Sequence, residues 1–190
     1  MVANSSKSVD SKGGNNETDA IALLTADHKT VKALFKEVEQ LKEQEDTDEQ
    51  RARLVEQICN ELTVHAQVEE ELFYPAVREA INDDDLMDEA DIEHASAKEL
   101  VAQLKGLEPG DDHYDARVTV LSEYIEHHTK EEEGQIFVQA RKADVNTAEL
   151  GKRIAGRKEE LRAELGIEED DQAASPSARS ESTQLREKRK

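Results

Sequence analysis

The chain has 190 residues, of which 37% are charged and 3% aromatic, and a formal net charge of −20. That length supports one domain with a true core, while the scarcity of aromatic residues and prolines argues against a β-sandwich or barrel and for an all-α fold. The acidic balance excludes nucleic acid as a natural partner, because phosphate binding gains mainly from lysine and arginine displacing counterions.

The lone cysteine, Cys59, cannot form an intramolecular disulfide, which fits a reducing compartment, and its place beside Ile58 on an apolar stripe predicts a buried thiol. Residues 1–17 hold Ser, Gly, Asn and Lys with no apolar run, so they resemble neither a secretory leader nor a membrane span, and a cytoplasmic protein without membrane attachment is expected. With so little to bury, residues 1–17 and 167–190 are predicted as disordered tails, the second ending in the basic run Arg186-Glu187-Lys188-Arg189-Lys190, to which no function is assigned.

Between the tails, apolar residues recur at three-four spacing in five segments. The first, about 18–44, opens at Thr18-Asp19 and carries Ile21, Leu24, His28, Val31, Phe35 and Val38. The second, about 47–81, carries Leu54, Ile58, Leu62, His65, Glu69, Leu72 and Ala76, with a kink or break expected at Pro75. The third, about 86–106, follows Asn82-Asp83-Asp84-Asp85, carries Met87, Ala90, His94, Ala97, Val101 and Leu104, and stops at Gly106 and Pro109-Gly110. The fourth, about 112–142, has Tyr114, Val118, Leu121, Ile125, His128, Glu132 and Ile136. Short connections favour an up-down-up-down four-helix bundle over residues 18–142. A fifth helix at 147–165, within an accessory segment 143–166, is expected to brace it through Leu150, Ile154 and Leu161.

Polar residues interrupt the same apolar stripe on each of the four bundle helices: His28, then His65 with Glu69, then His94, then His128 with Glu132. If an inward stripe covers about a quarter to a third of a helix circumference, four histidines land on four stripes by chance with odds on the order of one per cent. Burying such groups without partners costs several kcal/mol each, and a shared metal centre would satisfy them together. His65 with Glu69 and His128 with Glu132 are four residues apart, on one helix face, and each carboxylate has two oxygens with which to bridge two ions. Imidazole with carboxylate suits iron, manganese or zinc. Register places His127 outside this cluster, and His113 falls in the loop or first turn before the fourth helix. Glu70, Glu131 and Glu133 are expected on solvated faces or hydrogen-bonded around the ligands.

The pattern is duplicated. Asp27-His28 and the segment from His65 to Pro75, with Glu69-Glu70 and Phe73-Tyr74-Pro75, are echoed by Glu93-His94 and by His128 to Phe137, with Glu132-Glu133. The paired histidines are 37 residues apart in the first half and 34 in the second, as two antiparallel helices joined by a turn require. This His…His-x-x-x-Glu…His…His-x-x-x-Glu arrangement resembles the hemerythrin HHE cation-binding domain over about residues 18–142. The resemblance implies two iron ions in a non-haem di-iron centre, with His28, His65, Glu69, His94, His128 and Glu132 as ligands, Glu69 and Glu132 bridging, and oxygen, nitric oxide or peroxide as the small partner molecule. No separate catalytic residue is assigned.

Oxygen-carrying hemerythrins have a further histidine one turn after the third, where this chain has Lys98, so one position is expected to be left for water or an external ligand. Val138 stands where the first half has Pro75. A ferritin-like oxidase or iron store would need Glu-x-x-His on two helices, and only Asp91-x-x-His94 comes near it. A metal-free helical interaction module remains the other alternative.

Overall fold

Asp19 starts α1 (Ala20–Lys42) by accepting the Ala22 N–H at 3.2 Å, which satisfies one of the donors that a helix start leaves unpaired. The computed structural model describes residues 19–167, and among the described residues it contains helices and turns but no strand. α2 (Asp48–Val68) returns antiparallel to α1 after a tight turn in which Asp46 takes the left-handed φ of 58°. It passes through a π-helical turn, Glu69–Phe73, into α3 (Tyr74–Ala80). Asp83 caps α4 (Asp84–Leu104), and α5 (Tyr114–Glu131) follows His113. A second π-helical turn, Glu132–Ile136, leads into α6 (Phe137–Lys142). Asn146 caps α7 (Thr147–Leu165), which ends at Gly166 with φ 66°, a left-handed conformation that glycine adopts without steric cost. The tail expectations fall outside the described residues except at Ile167, which packs on the core.

α1 packs against α2 and α5, α4 packs against the same two helices, and α7 lies across α1 and α2 on the outside. The result is the expected four-helix bundle with an additional C-terminal helix. Helix ends agree with the sequence reading to within about two residues, but the interiors of the second and fourth segments do not. Each was expected as one helix, the second broken by Pro75; each is instead widened just after its His-x-x-x-Glu pair. In both turns the glutamate carbonyl accepts an N–H from five residues on, Tyr74 to Glu69 and Phe137 to Glu132. Proline is not the cause, because the second turn has Val138 at the corresponding place. Pro75 occupies the first turn of α3, where its missing N–H is tolerated.

The core divides into two apolar clusters. One, near the bundle end that α7 covers, includes Ile21, Leu24, Val68, Phe73, Met87, Phe137 and Ile154. The other, toward the α1–α2 and α4–α5 turns, includes Val31, Phe35, Ile58, Val101, Tyr114 and Leu121. Between them in sequence on every bundle helix sit the inward polar residues. His28 lies between Leu24 and Val31, His65 between Leu62 and Val68, His94 between Ala90 and Val101, and His128 between Leu121 and Ile136. The bundle is thus a polar layer clamped by two apolar ones.

Because α7 contributes fully buried Ile154 to the first cluster, Ile154→Ala should destabilise the fold by about 3 kcal/mol. Ile92→Ala, at a side chain 68% exposed, should change stability by less than about 0.5 kcal/mol. Chemical denaturation at matched metal content measures both.

Candidate metal centre

All six residues predicted from the stripe come together in the polar layer, and all six are buried, Glu69 and Glu132 completely. His28 Nε2 lies 3.1 Å from His65 Nε2, and His94 Nε2 lies 3.2 Å from His128 Nε2. Glu69 Oε2 is 3.1 Å from His65 Nε2 and 3.4 Å from His94 Nε2, so that carboxylate spans both histidine pairs. Glu132 Oε2 is 3.2 Å from His28 Nε2. The histidine–glutamate approaches lack hydrogen-bond alignment, so both oxygens of Glu69 and of Glu132 are left without a hydrogen-bond donor. Potential donor atoms fall into two groups, one of His28, His65, Glu69 and Glu132, the other of Glu69, His94 and His128.

The outer nitrogens explain why the inner ones face each other. Each Nδ1 meets a carboxylate: His28 with Glu133 at 2.8 Å, His65 with Asp27 at 3.2 Å, His94 with Glu70 at 3.0 Å and His128 with Glu93 at 2.7 Å. An ionised carboxylate only accepts, so each Nδ1–H donates and each neutral imidazole turns a bare Nε2 lone pair inward. Four lone pairs and four unpartnered carboxylate oxygens converging in a dry layer is an arrangement that repels itself unless cations or protons occupy the centre. The donor set fits a pair of cations, with His28 and His65 placed to hold one, His94 and His128 the other, Glu69 within reach of both and Glu132 grouped with the first.

Protons can substitute for cations only by shifting pKa values. At His94, burial opposes a charged ring, but Glu69 and Glu70 outweigh it and raise the pKa to about 9. Burial is likewise overcome at His65 by Glu69 and Asp27, and at His28 by Glu132, so both rise. Burial and the charge of Glu69 push the Glu132 carboxyl up, whereas His65 and His94 hold Glu69 well below the usual range against its own burial.

Sequence reasoning did not single out Asp27, Glu93 or Tyr74. The signal for the first two was present, since an acidic residue precedes the first histidine in each half. Glu70 and Glu133, the residues after the glutamates, reach across to the opposite half. The Tyr74 hydroxyl lies 3.1 Å from His94 Nε2 and 3.5 Å from His128 Nε2, and burial with the charges of Glu69 and Glu132 keeps it protonated. Its repeat counterpart Phe137 has no hydroxyl and stacks on His28 at 5.9 Å between ring centroids. Lys98 pairs with Glu70. Asp91, which the ferritin-like alternative would need, is drawn outward to Arg78 at 2.8 Å. His127 and His113 are exposed, as register predicts, and Cys59 is buried, its thiol pushed up to about 11 by burial.

A cavity of about 360 Å³ leads to the histidines between α2 and α4 and is closed behind by α1 and α5. Apolar side chains line much of it, including Val31, Leu62, Ala97, Val101 and Ile125, with exposed Lys98 on α4 and exposed Lys105 at its C-terminal cap.

A bundle that buries histidines and glutamates between its helices in this way is a metal-binding four-helix bundle by class. Residues 19–140 match the hemerythrin HHE cation binding domain, and the chain belongs to that family. It is similar to the crystal structure of a hemerythrin HHE cation binding domain-containing protein from Mycobacterium kansasii, an Rv2633c homolog. The TM-score is 0.64 at 25% identity, covering 77% of this chain and 88% of that one. It is also 31% identical over 119 residues to a protein of Nostoc sp. (strain PCC 7120 / SAG 25.82 / UTEX 2576) named DNA nickase, across 63% of this chain and 32% of that protein. The chain therefore spans about a third of that relative's length. Among the described residues, no helix is long and apolar enough to cross a membrane.

The shifted histidines predict how the metal-stripped protein responds to pH. A folded-state pKa near 9 against an ordinary 6.5 at His94 gives stability that is fully present below about pH 6.5 and lost as pH rises through about 9, on the order of 3 kcal/mol. His28 and His65, also raised, act in the same direction. After chelation, Tm should therefore fall between about pH 6.5 and 9.5. The metal-loaded protein should not follow, since metal binding requires the deprotonated nitrogens and is favoured by rising pH. Parallel thermal melts of the two forms check this.

Proposed function

We propose that the chain holds two iron ions in a non-haem di-iron centre and uses them to bind, sense or react with a small neutral molecule: oxygen, nitric oxide or peroxide. The observation that carries this reading is the convergence of four imidazole lone pairs and four unpartnered carboxylate oxygens in one buried layer. His28 and His65 would hold one ion, His94 and His128 the other, and Glu69 and Glu132 would bridge them. Iron so bound supplies electrons and Lewis acidity to a small oxygen- or nitrogen-containing ligand.

The chain's own residues do the rest. Asp27, Glu70, Glu93 and Glu133 fix the imidazole tautomers and keep the rings aimed inward. The apolar clusters exclude bulk water on both sides. Eight donor atoms fall short of the roughly twelve positions that two six-coordinate ions offer, so vacant positions remain for a small ligand. The apolar cavity favours a neutral molecule over an ion on the way in. The Tyr74 hydroxyl, next to His94 and His128, is placed to donate a hydrogen bond to whatever occupies that side of the pair. Nucleic acid does not fit this reading, because the nicking named for the Nostoc protein belongs to a chain about twice as long and the charge of −20 here opposes phosphate contact.

Loading with ferrous iron without air, followed by exposure to air, should give two irons per chain and the ultraviolet-visible bands of a bridged ferric pair. His65→Ala and His128→Ala should each lose iron, and Tyr74→Phe should keep both irons while shifting the spectrum or the affinity for nitric oxide. Iron content near zero in the wild-type chain, or content indifferent to both histidine substitutions, would return the bundle to a metal-free interaction module. Steady consumption of hydrogen peroxide by the loaded protein, abolished in Glu69→Ala, would identify turnover rather than binding or sensing.

A further inference from the structure

The two halves of the bundle repeat each other, and the second-half residues that break the repeat form a cluster of their own. Asp27 and Glu93 are counterparts, each taking the Nδ1–H of the second histidine in its own half. On the α1–α2 side, α7 lies over the surface and its buried Lys158 pairs with Asp27, so that carboxylate is neutralised and sealed. The α4–α5 side has no such cover among the described residues. There Glu93 keeps one oxygen on His128, at 2.7 Å, and turns the other toward exposed His127, at 3.6 Å from its Nε2. Glu131 Oε2 stands 3.5 Å from the same nitrogen. Among the described residues, no lysine or arginine pairs with Glu93 or Glu131. The counterparts of His127 and Glu131 in the first half are Val64 and Val68, both buried in the cluster that α7 helps to form.

Separations of 3.5 and 3.6 Å are too long for good hydrogen bonds. They suit ligands on one divalent cation, since bonds of about 2.1 Å at tetrahedral angles put donor atoms about 3.4 Å apart. One imidazole and two carboxylates without a cationic neighbour also form the charge balance that a first-row divalent ion completes. We propose that Glu93, His127 and Glu131 form a third divalent-cation site, at the surface of the α4–α5 hairpin and separate from the buried pair. Glu93 joins the two, one oxygen at the surface site and the other holding a ring of the buried one. A cation drawn in by the acidic field of the chain is thereby captured one residue from the centre.

The test is titration of the iron-loaded protein with Mn2+, followed by electron paramagnetic resonance, with iron content measured on the same samples. One Mn2+ per chain should bind, and His127→Gln and Glu131→Gln, neither of which touches the buried pair, should each weaken it about tenfold or more without changing iron content or the ferric spectrum. No bound Mn2+, or binding undiminished in both variants, would overturn the proposal and leave His127 as an ordinary surface ion-pair partner. Failure of the buried centre would register separately, as missing iron.

Discussion

Two carboxylates buried side by side set the terms for the rest of this molecule. Glu69 and Glu132 have no exposure and no hydrogen-bond donor on any of their four oxygens, in a layer where an uncompensated charge costs several kcal/mol. Such a pair persists only if something at the centre is positive and the surroundings hold it there. The four histidines supply the inner wall, and their orientation depends in turn on four outer carboxylates. Two of those, Asp27 and Glu93, work within their own half, whereas Glu70 and Glu133 cross to the other. Neither helical hairpin can complete the site alone, so folding the bundle and assembling the site are the same event.

The π-helical turns answer a geometric demand that a regular helix cannot meet. After His65 and Glu69, the first half must bury both Phe73 and Tyr74; after His128 and Glu132, the second must bury both Ile136 and Phe137. Neighbouring residues on an α-helix are about 100° apart, too far for both to face one layer fully. Widening one turn lets the second of each pair bond back to the glutamate carbonyl and lie over the ligand layer. Single π-turns in helices frequently mark functional sites, and here the widened turn begins on the glutamate itself in both halves.

That geometry also separates what could be read from the chain and what could not. The four helices, the brace and the six inward residues follow from one rule, that apolar stripes at helical spacing face the core and that polar residues on them need a reason. Asp27 and Glu93 escaped the rule because each is one residue away from its stripe, where periodicity assigns solvent. Their partners, His65 and His128, are more than thirty residues distant in sequence. The widened turns escaped because nothing in composition marks them, and Pro75 supplied a more familiar explanation for a helix irregularity than the correct one. Tyr74 stood in plain view as part of the repeat, but that its hydroxyl reaches the opposite half's histidines is a consequence of the turn, not of the stripe.

Duplication alone would give two equal histidine pairs, and three departures from the repeat make them unequal. Tyr74 puts a proton donor beside His94 and His128, whereas Phe137 lays an apolar face on His28. Lys158 neutralises Asp27 from α7, and among the described residues nothing comparable reaches Glu93. The covered side has Val64 and Val68 where the open side has His127 and Glu131. All three act in the same sense. On the His28–His65 side a lysine neutralises Asp27, while the His94–His128 side keeps a hydroxyl within and the polar pair His127 and Glu131 outside. In the proposed di-iron reading, a symmetric site would hold two ions equally well but would offer a small ligand no preferred end; the asymmetry would supply that preference without altering any of the six inward residues.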